Sequence, residues 1–247
     1  HVAVNFLIEY LPPRFHLVIL SRSDPPLPLA KLRVHNQINE LRVSELRFSP
    51  EEVMLFFRQV MGLQLSNQDI SILETKTEGW VAGLQMAGIS MQGKEDIRLF
   101  FENFAGSNRY IFDYLTNEVL KKYPEDIRTF LLYTSILDDL MIDLCNFVTQ
   151  RKDSKQILTF LEKENLFITA LDDNRDTFRY HALFADLLRY TLKMEYPDQV
   201  QDFHRRASDW YFQHGLMFEG LKHLIHIGDM DMAAKYIEES DMTFTLG

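Results

Sequence analysis

Two side chains in this sequence combine useful chemistry with a position at the end of a predicted strand. Arg22 follows an apolar run at residues 15–20. Its planar, permanently charged guanidinium suits a phosphate group, and the carboxyl ends of strands are where open α/β sheets bind ligands. His181 stands where a predicted strand becomes a helix, and a neutral imidazole can donate one hydrogen bond to a phosphate. The alternatives are an ion-paired surface arginine and a histidine packed at a strand end.

The residues around His181 predict a helix, a β-hairpin and a second helix. A charged helix end at 162–165 leads into a strand at 166–171, and residues 172–176 are rich in Asp and Asn, which favour turns. Residues 177–180 return as a second strand, and from Ala182 the apolar residues recur at helical spacing. This order of elements is typical of a winged helix.

The N-terminal part predicts a piece of a parallel α/β sheet. After an amphipathic helix at residues 2–11, the run at 15–20 is apolar at nearly every position, as in a strand buried on both faces. A further strand of the same sheet is expected at 38–43. Without the rest of such a sheet, these strands would expose an apolar edge, which favours self-association.

Helices account for most of the remaining chain. Ser49 and Ser66 each provide an N-cap, and further helices are expected from Trp80, at 97–104, at 109–122 and from Pro124. Beyond Pro197, helices ended by glycines favour the beginning of an α-solenoid. The predicted fold is mainly α, with boundaries at 1–47 (remnant of an α/β nucleotide-binding core), 48–106 (helical subdomain), 107–196 (winged helix) and 197–247 (tetratricopeptide-like repeats).

Composition excludes several kinds of site. The net charge of −10 argues against a surface that grips DNA or an anionic membrane. Cys145 is the only cysteine, and the eight histidines form no HExxH motif, so we expect no metal site. The sequence contains neither a GxxxxGK[ST] motif nor a strand ending in paired acidic residues, so we expect no catalysis by this chain. It has no signal peptide and no apolar run of transmembrane length, which favours the cytoplasm.

Four segments together resemble the large ATP-binding LuxR-type transcriptional regulators of the maltose activator group, which are STAND NTPases. The segments are SRSDPPLPLAKLR, TEGWVAGLQMAG, LEKENLF and RYHALFADLLR. The resemblance implies that Arg22 faces the terminal phosphate of a nucleotide and that His181 contacts the β-phosphate of ADP. It also aligns Gly79 and Val81 with a GWPAGL motif that contacts adenine. Val81 stands where proline is usual, so the preset turn geometry of proline is lost.

The implied function is a switch in which ADP/ATP exchange, with Mg in the intact protein, and an inducer convert a closed monomer into an open homo-oligomer. DNA binding would belong to a C-terminal domain outside this chain, and no membrane partner is expected. The start at His1 without Met suggests a piece of a longer protein. The alternative is a non-catalytic helical scaffold for protein contacts. A third hypothesis, DNA binding by the winged helix itself, is weakened by the acidic balance and by Arg189, the only basic residue in 182–192.

Overall fold

The computed structural model describes residues 2–12, 14–21, 24–92 and 109–244. The predicted phosphate ligand Arg22 and the predicted helix at 97–104 lie outside these ranges.

The N-terminal segment, meaning the described residues between 2 and 46, contains two short helices and no strand. Helix α1 spans Val2–Glu9, helix α2 spans Leu29–Val34, and a 3-10 turn spans Val43–Glu45. The predicted strands at 15–20 and 38–43 are wrong, because these residues join no β-ladder in the described chain. A strand requires a hydrogen-bonded neighbour as well as apolar side chains. Without strands there is no sheet edge here, but the apolar side chains are exposed, Val18 by 81% and Leu20 by 94%.

Three helices follow in the middle of the chain. Helix α3, Pro50–Leu55, continues into a wider π-type turn at Phe56–Val60, and is followed by α4 at Asn67–Thr77 and α5 at Val81–Met91. Both predicted helix starts are confirmed, since the hydroxyls of Ser49 and Ser66 accept hydrogen bonds from amides three residues later. In each case the third residue's carboxylate accepts a bond from the serine amide in return.

The winged helix is confirmed. Helix α6, Arg109–Tyr114, continues through a π-type turn at Leu115–Val119 and a 3-10 turn at Leu120–Lys122. Then come α7 at Glu125–Thr134, α8 at Ile142–Thr149 and α9 at Ser154–Lys163. Strands β2 (Ile168–Ala170) and β3 (Thr177–Tyr180) form the predicted hairpin, which leads into α10 at Ala182–Glu195.

A third strand was not predicted. Strand β1, Leu140–Met141, pairs antiparallel with β3, so the sheet order is β1-β3-β2 and β3 is central. Two residues are too few to show an alternating pattern, and β1 exists because the far side of β3 offers free backbone groups. The preceding Asp138 and Asp139 form an exposed bend, as expected for a surface turn.

The C-terminal part consists of helical hairpins. A 3-10 turn at Pro197–Gln199 precedes α11 at Val200–Gln213, α12 at Met217–His226 and α13 at Met230–Phe244. Gly215 and Gly228 follow α11 and α12 in left-handed backbone conformation, as expected of glycines that end helices. Three helices are too few to define a repeat, so the α-solenoid stays a prediction.

One continuous core joins the middle helices, the winged helix and α11. It runs from Val53 on α3 to Tyr211 on α11 and contains the fully buried Phe57, Phe178 and Phe184. The domain boundaries expected from the sequence stay predictions, and the one at 106/107 lies outside the described residues. The described helices are too short or too polar for any of them to span a lipid bilayer.

Candidate functional site

Two short segments that are about a hundred residues apart in sequence meet in the structure. One is the turn at residues 77–80, between α4 and α5, and the other is residues 179–182, at the junction of β3 and α10. We call their meeting point the junction site. It brings together three of the four predicted ligand positions, since Gly79, Val81 and His181 lie in or beside it.

His181 is buried at the junction site, with 7% of its surface exposed. Its Nε2 lies 2.9 Å from the carbonyl oxygen of Thr77, and its Nδ1 accepts a hydrogen bond of 3.3 Å from the amide of Leu183. Acceptance at Nδ1 requires the neutral imidazole with its proton on Nε2, and that N–H then donates to the Thr77 carbonyl. Burial also lowers the pKa of His181, against the attraction of the Glu78 carboxylate, which raises it.

His181 therefore acts here as the N-cap of α10, a role usually taken by Ser, Thr, Asp or Asn. Both ring nitrogens already have protein partners. A phosphate could accept a hydrogen bond from Nε2 only if the hydrogen bond to the Thr77 carbonyl were broken. This is the packed histidine that the sequence offered as the alternative, placed beside the turn that carries the predicted adenine motif.

Gly79 is required by its surroundings. Its φ is +71°, and a Cβ built on it would lie 2.4 Å from the carbonyl oxygen of Phe48. The amide of Phe48 also donates a hydrogen bond of 2.9 Å to the Gly79 carbonyl. The backbone of Gly79 thus holds the start of α3 against the turn, and no ligand is needed to explain the residue.

Val81 is half-buried at the first position of α5. The preceding Trp80 has an extended backbone, with φ −67° and ψ 111°. This geometry would accept the proline found in the related motif, because the residue before a proline prefers the extended region.

Glu78 is the residue at this site that sequence reasoning missed. Its carboxylate accepts hydrogen bonds from Arg179 at 2.8 and 3.0 Å, from Arg47 at 3.0 Å and from the amide of Ala182 at 3.0 Å. An acidic residue directly before the TEGW glycine was visible in the sequence. Its partners were not, because no local pattern connects residues 101 and 104 positions apart.

Trp80 links the junction site to an open cleft. Its ring lies edge-on to those of Phe167 and His181, with centroids 5.1 and 6.2 Å away, and tilted against Tyr114 at 5.9 Å. Trp80 and Tyr114 also line a cleft of about 720 Å³ between the N-terminal segment and the winged helix. This volume lies in the usual range for small-molecule sites.

The cleft has mixed polarity. Its N-terminal wall includes Leu17, Ile19 and Ser21, and its opposite wall includes Lys122 beside the aromatic pair. Acidic side chains on the lining outnumber basic ones: Asp24, Glu40, Glu118 and Glu164 against Arg42 and Lys122. His181 is not on the lining, so the predicted phosphate contact is not presented to this cleft in the present arrangement.

Reactive side chains are few in the described chain. Burial raises the pKa of the Cys145 thiol, which removes it as a nucleophile. His204 Nδ1 lies 2.8 Å from His223 Nδ1 in the hairpin of α11 and α12, and burial lowers the pKa of these residues to about 3 and about 4. The described residues contain no group of three or more His, Cys, Asp or Glu side chains arranged to hold a metal ion.

The sequence of this chain is similar to those of several known proteins. Residues 116–200 match the MalT winged helix domain family. The HTH-type transcriptional regulator MalT of Yersinia enterocolitica is 33% identical over 234 residues, covering 94% of this chain and 26% of that protein. MalT of Yersinia pestis gives the same figures. The serine/threonine-protein kinase PknK of Mycobacterium tuberculosis is 28% identical over 239 residues, covering 97% of this chain and 22% of the kinase.

The chain thus spans about a quarter of the length of these curated relatives. The family match covers the β-hairpin, α10 and the helices that pack on them, which are the elements that position His181. Residues 116–200 therefore match the MalT winged helix domain family, and nearly the whole chain is similar in sequence to the MalT regulators.

Proposed function

We propose that this chain is the regulatory segment of an ATP-dependent LuxR-type transcriptional activator. In this activator, ADP/ATP exchange and inducer binding convert a closed monomer into an open oligomer. The observation that carries the proposal is the junction site. There, the turn that resembles the adenine motif is hydrogen-bonded directly to the winged-helix histidine, through Thr77 and His181.

The relatives support a control module over an output domain. Proteins named as a transcriptional regulator and as a serine/threonine kinase match nearly the same span of this chain. A segment shared by proteins with such different named activities fits a part that regulates the output. The segment itself would then not catalyse a reaction, and its place would be the cytoplasm, where transcriptional regulators act.

The residues on the cleft fit part of a nucleotide. Trp80 and Tyr114 line the cleft, and aromatic rings suit an adenine ring, whereas Lys122 is already paired with Glu118 at 2.7 Å. A triphosphate with Mg needs in addition a cradle of backbone amides, which this sequence lacks because it has no P-loop motif. We therefore place the phosphate-binding half of the site in another part of the intact protein. The bound nucleotide would supply a charge that differs between its ADP and ATP forms.

A switch requires that a ligand bind one arrangement more tightly than the other. In the closed arrangement His181 is neutral and donates to Thr77. In an open arrangement the Nε2 proton becomes available to a phosphate. ADP and ATP would shift the balance through unequal contacts to this group, and an inducer would act through the helical hairpins that begin at α11.

DNA contact would come from a domain outside this chain. The face of α10 that a recognition helix would present is packed into the core through Leu183, Phe184 and Leu187. The guanidinium of Arg189 donates to the carbonyl of Ser135 and to Asp138. Both observations make the winged helix a poor reader of a DNA groove.

The alternative function is a helical scaffold for protein contacts. It is favoured by the occupied nitrogens of His181 and by exposed apolar side chains at both ends of the described chain, such as Leu20 and Phe218. Exposed apolar surface of this kind marks interaction sites. Homo-oligomerisation through it is compatible with either function.

Calorimetric titration with ADP and ATP tests the choice. We would titrate this chain and a longer natural chain that includes a P-loop, each as wild type, as His181→Ala and as the matched control His35→Ala, an exposed histidine. The switch predicts nucleotide binding by the longer chain, weakened by His181→Ala and unchanged by His35→Ala. If the longer chain binds neither ADP nor ATP, in wild-type or variant form, the helical scaffold is the remaining function.

A further inference from the structure

The Glu78 carboxylate is the most connected ionised group at the junction site. We call it, together with Arg47, Arg179 and the amide of Ala182, the Glu78 cluster. The Glu78 side chain is 12% exposed, against 34% for Arg47 and 39% for Arg179. Charge-assisted bonds of this geometry are the stronger kind, and the Arg179 contact is a two-point one.

The amide of Ala182 adds a contact of a different type. Ala182 is the first residue of the fourteen-residue helix α10, so its N–H has no partner within the helix. A carboxylate at this end also lies favourably in the field of the helix. Glu78 thus satisfies the start of α10 from a different part of the chain, next to the His181 side chain that caps the same helix.

The charge of Glu78 is firmly held. Burial alone would raise the pKa of this carboxyl group, but the hydrogen bond from Arg179, the bond from the Ala182 amide and the attraction of the Arg179 charge together lower it to about 2. The group is therefore ionised throughout the physiological range. Its electrostatic effect on the neighbouring His181 is always present while the two segments are in contact.

The backbone at Glu78 is strained in a way that these contacts offset. Glu78 has φ 48° and ψ 36°, a left-handed conformation that is unfavourable for a residue other than glycine. It ends α4 and turns the chain so that the Thr77 carbonyl faces His181 and the Glu78 side chain faces Arg179. Neighbouring residues of one turn thereby hold neighbouring residues of the winged helix.

We propose that Glu78 is the positioning residue that keeps the 77–80 turn closed on the winged helix in the absence of nucleotide. It thereby maintains the hydrogen bond from the His181 Nε2–H to the Thr77 carbonyl. Loss of the Glu78 cluster would leave the His181 Nε2–H free to donate a hydrogen bond to an anion. The inference rests on the proposed function for its regulatory meaning. The closed contact itself concerns only residues of this chain and needs no ligand.

Amide hydrogen exchange in the unaltered chain is the first test. Amides in the first turn of a helix normally exchange fast, because they lack a helical partner. If the Glu78 cluster persists in solution, the Ala182 amide exchanges about tenfold more slowly than an unpartnered first-turn amide. Exchange of Ala182 at the unprotected rate would overturn the proposal without any variant.

The second test is the titration of His181, followed by nuclear magnetic resonance in Glu78→Gln. If the contact opens, His181 becomes exposed and its pKa rises toward about 6.5. If the contact stays closed, loss of the Glu78 charge removes an attraction, and the pKa falls further below the wild-type value. The two outcomes have opposite signs, so a fall or no change rejects Glu78 as the residue that keeps the contact closed.

Glu74→Gln is the matched control, because Glu74 lies one helical turn earlier on α4 and is not part of the Glu78 cluster. It should leave both the His181 titration and Ala182 exchange unchanged. Dispersed resonances from the buried methyl groups of Leu131 and Leu188 would show that Glu78→Gln is folded. If that variant is unfolded, the Ala182 exchange of the unaltered chain decides. None of these measurements uses nucleotide, so a failure of nucleotide binding remains a separate result.

Discussion

The apolar side chains of the N-terminal segment and those of the winged helix differ sharply in burial. Phe15, Val18 and Leu20 are 60%, 81% and 94% exposed, whereas Phe178 and Phe184 are completely buried. Among the described residues of the N-terminal segment, Leu32 is the one buried apolar side chain. The difference lies in neighbours, because β3 has a strand on each side and helices against it, and residues 15–20 have no pairing strand.

This contrast shows that an apolar stretch of sequence becomes buried only where other elements of the fold cover it. A strand gains its backbone hydrogen bonds and its packing only where other elements present them. In the winged helix, the strands that pair with one another all lie within one stretch of the chain. The apolar surface of the N-terminal segment is consequently the part of the described molecule most available for contact with another surface.

The largest expected effect comes from truncation of the centre of the sheet. Phe178→Ala should lower the free energy of unfolding by about 3–5 kcal/mol, because it removes a fully buried aromatic ring and leaves a cavity. Val18→Ala should change it by less than about 0.5 kcal/mol, since Val18 is mostly in solvent. Urea unfolding measures both. Similar effects for the two substitutions would break the comparison.

The next effect concerns the turn that meets the winged helix. Gly79→Ala should destabilise by about 1–3 kcal/mol beyond the cost of a left-handed alanine, because the new Cβ would overlap the Phe48 carbonyl and force a backbone shift. Gly228→Ala is the matched control, with a φ of +72° and open space around the added carbon. It should cost only about 1 kcal/mol. Equal losses in thermal unfolding would mean that the turn moves freely away from Phe48.

Acid should weaken the packed part of the molecule through its buried histidines. Burial lowers the folded-state pKa of His223 to about 4 and of His204 to about 3, so the folded chain keeps both neutral, while the unfolded chain binds protons below about 6.5. Their contribution to stability is complete above pH 6.5 and is lost as the pH falls through 6.5 toward 4 and then 3.

Urea unfolding between pH 7 and pH 4 checks this expectation. Replacement of both residues, as in His204→Leu with His223→Leu, should flatten the part of the pH dependence that they cause. The substitution His35→Ala in the exposed N-terminal segment should leave the curve unchanged. A curve that stays equally steep in the double variant would assign the acid sensitivity to other groups.

The smallest effect is expected at Val81. Val81→Pro should be neutral or should stabilise by up to about 1 kcal/mol, because the first position of a helix does not need its amide and Trp80 already has the extended backbone that proline prefers. Gln85→Pro, in the interior of the same helix and exposed, should cost about 3 kcal/mol. A large loss from Val81→Pro in thermal unfolding would show that the turn cannot hold a proline.

Local sequence predicted much of the fold for reasons that are local. The two capping boxes at Ser49 and Ser66 depend on residues three positions apart, and the hairpin after residue 166 depends on the Asp- and Asn-rich turn that it contains. The two N-terminal strands failed because their existence depends on a pairing partner. Strand β1 was missed because only its position beside β3 makes it a strand.

At the candidate site, the sequence by itself determined which residues are special, and the fold determined what they contact. Gly79 was singled out from its motif, and its left-handed backbone against Phe48 gives the physical reason. His181 was placed correctly at the start of α10. That the His181 Nε2 meets the Thr77 carbonyl, and that Glu78 joins Arg47, Arg179 and Ala182, was decided by tertiary structure. Side chains a hundred residues apart meet only after the core has packed, and no spacing rule encodes that distance.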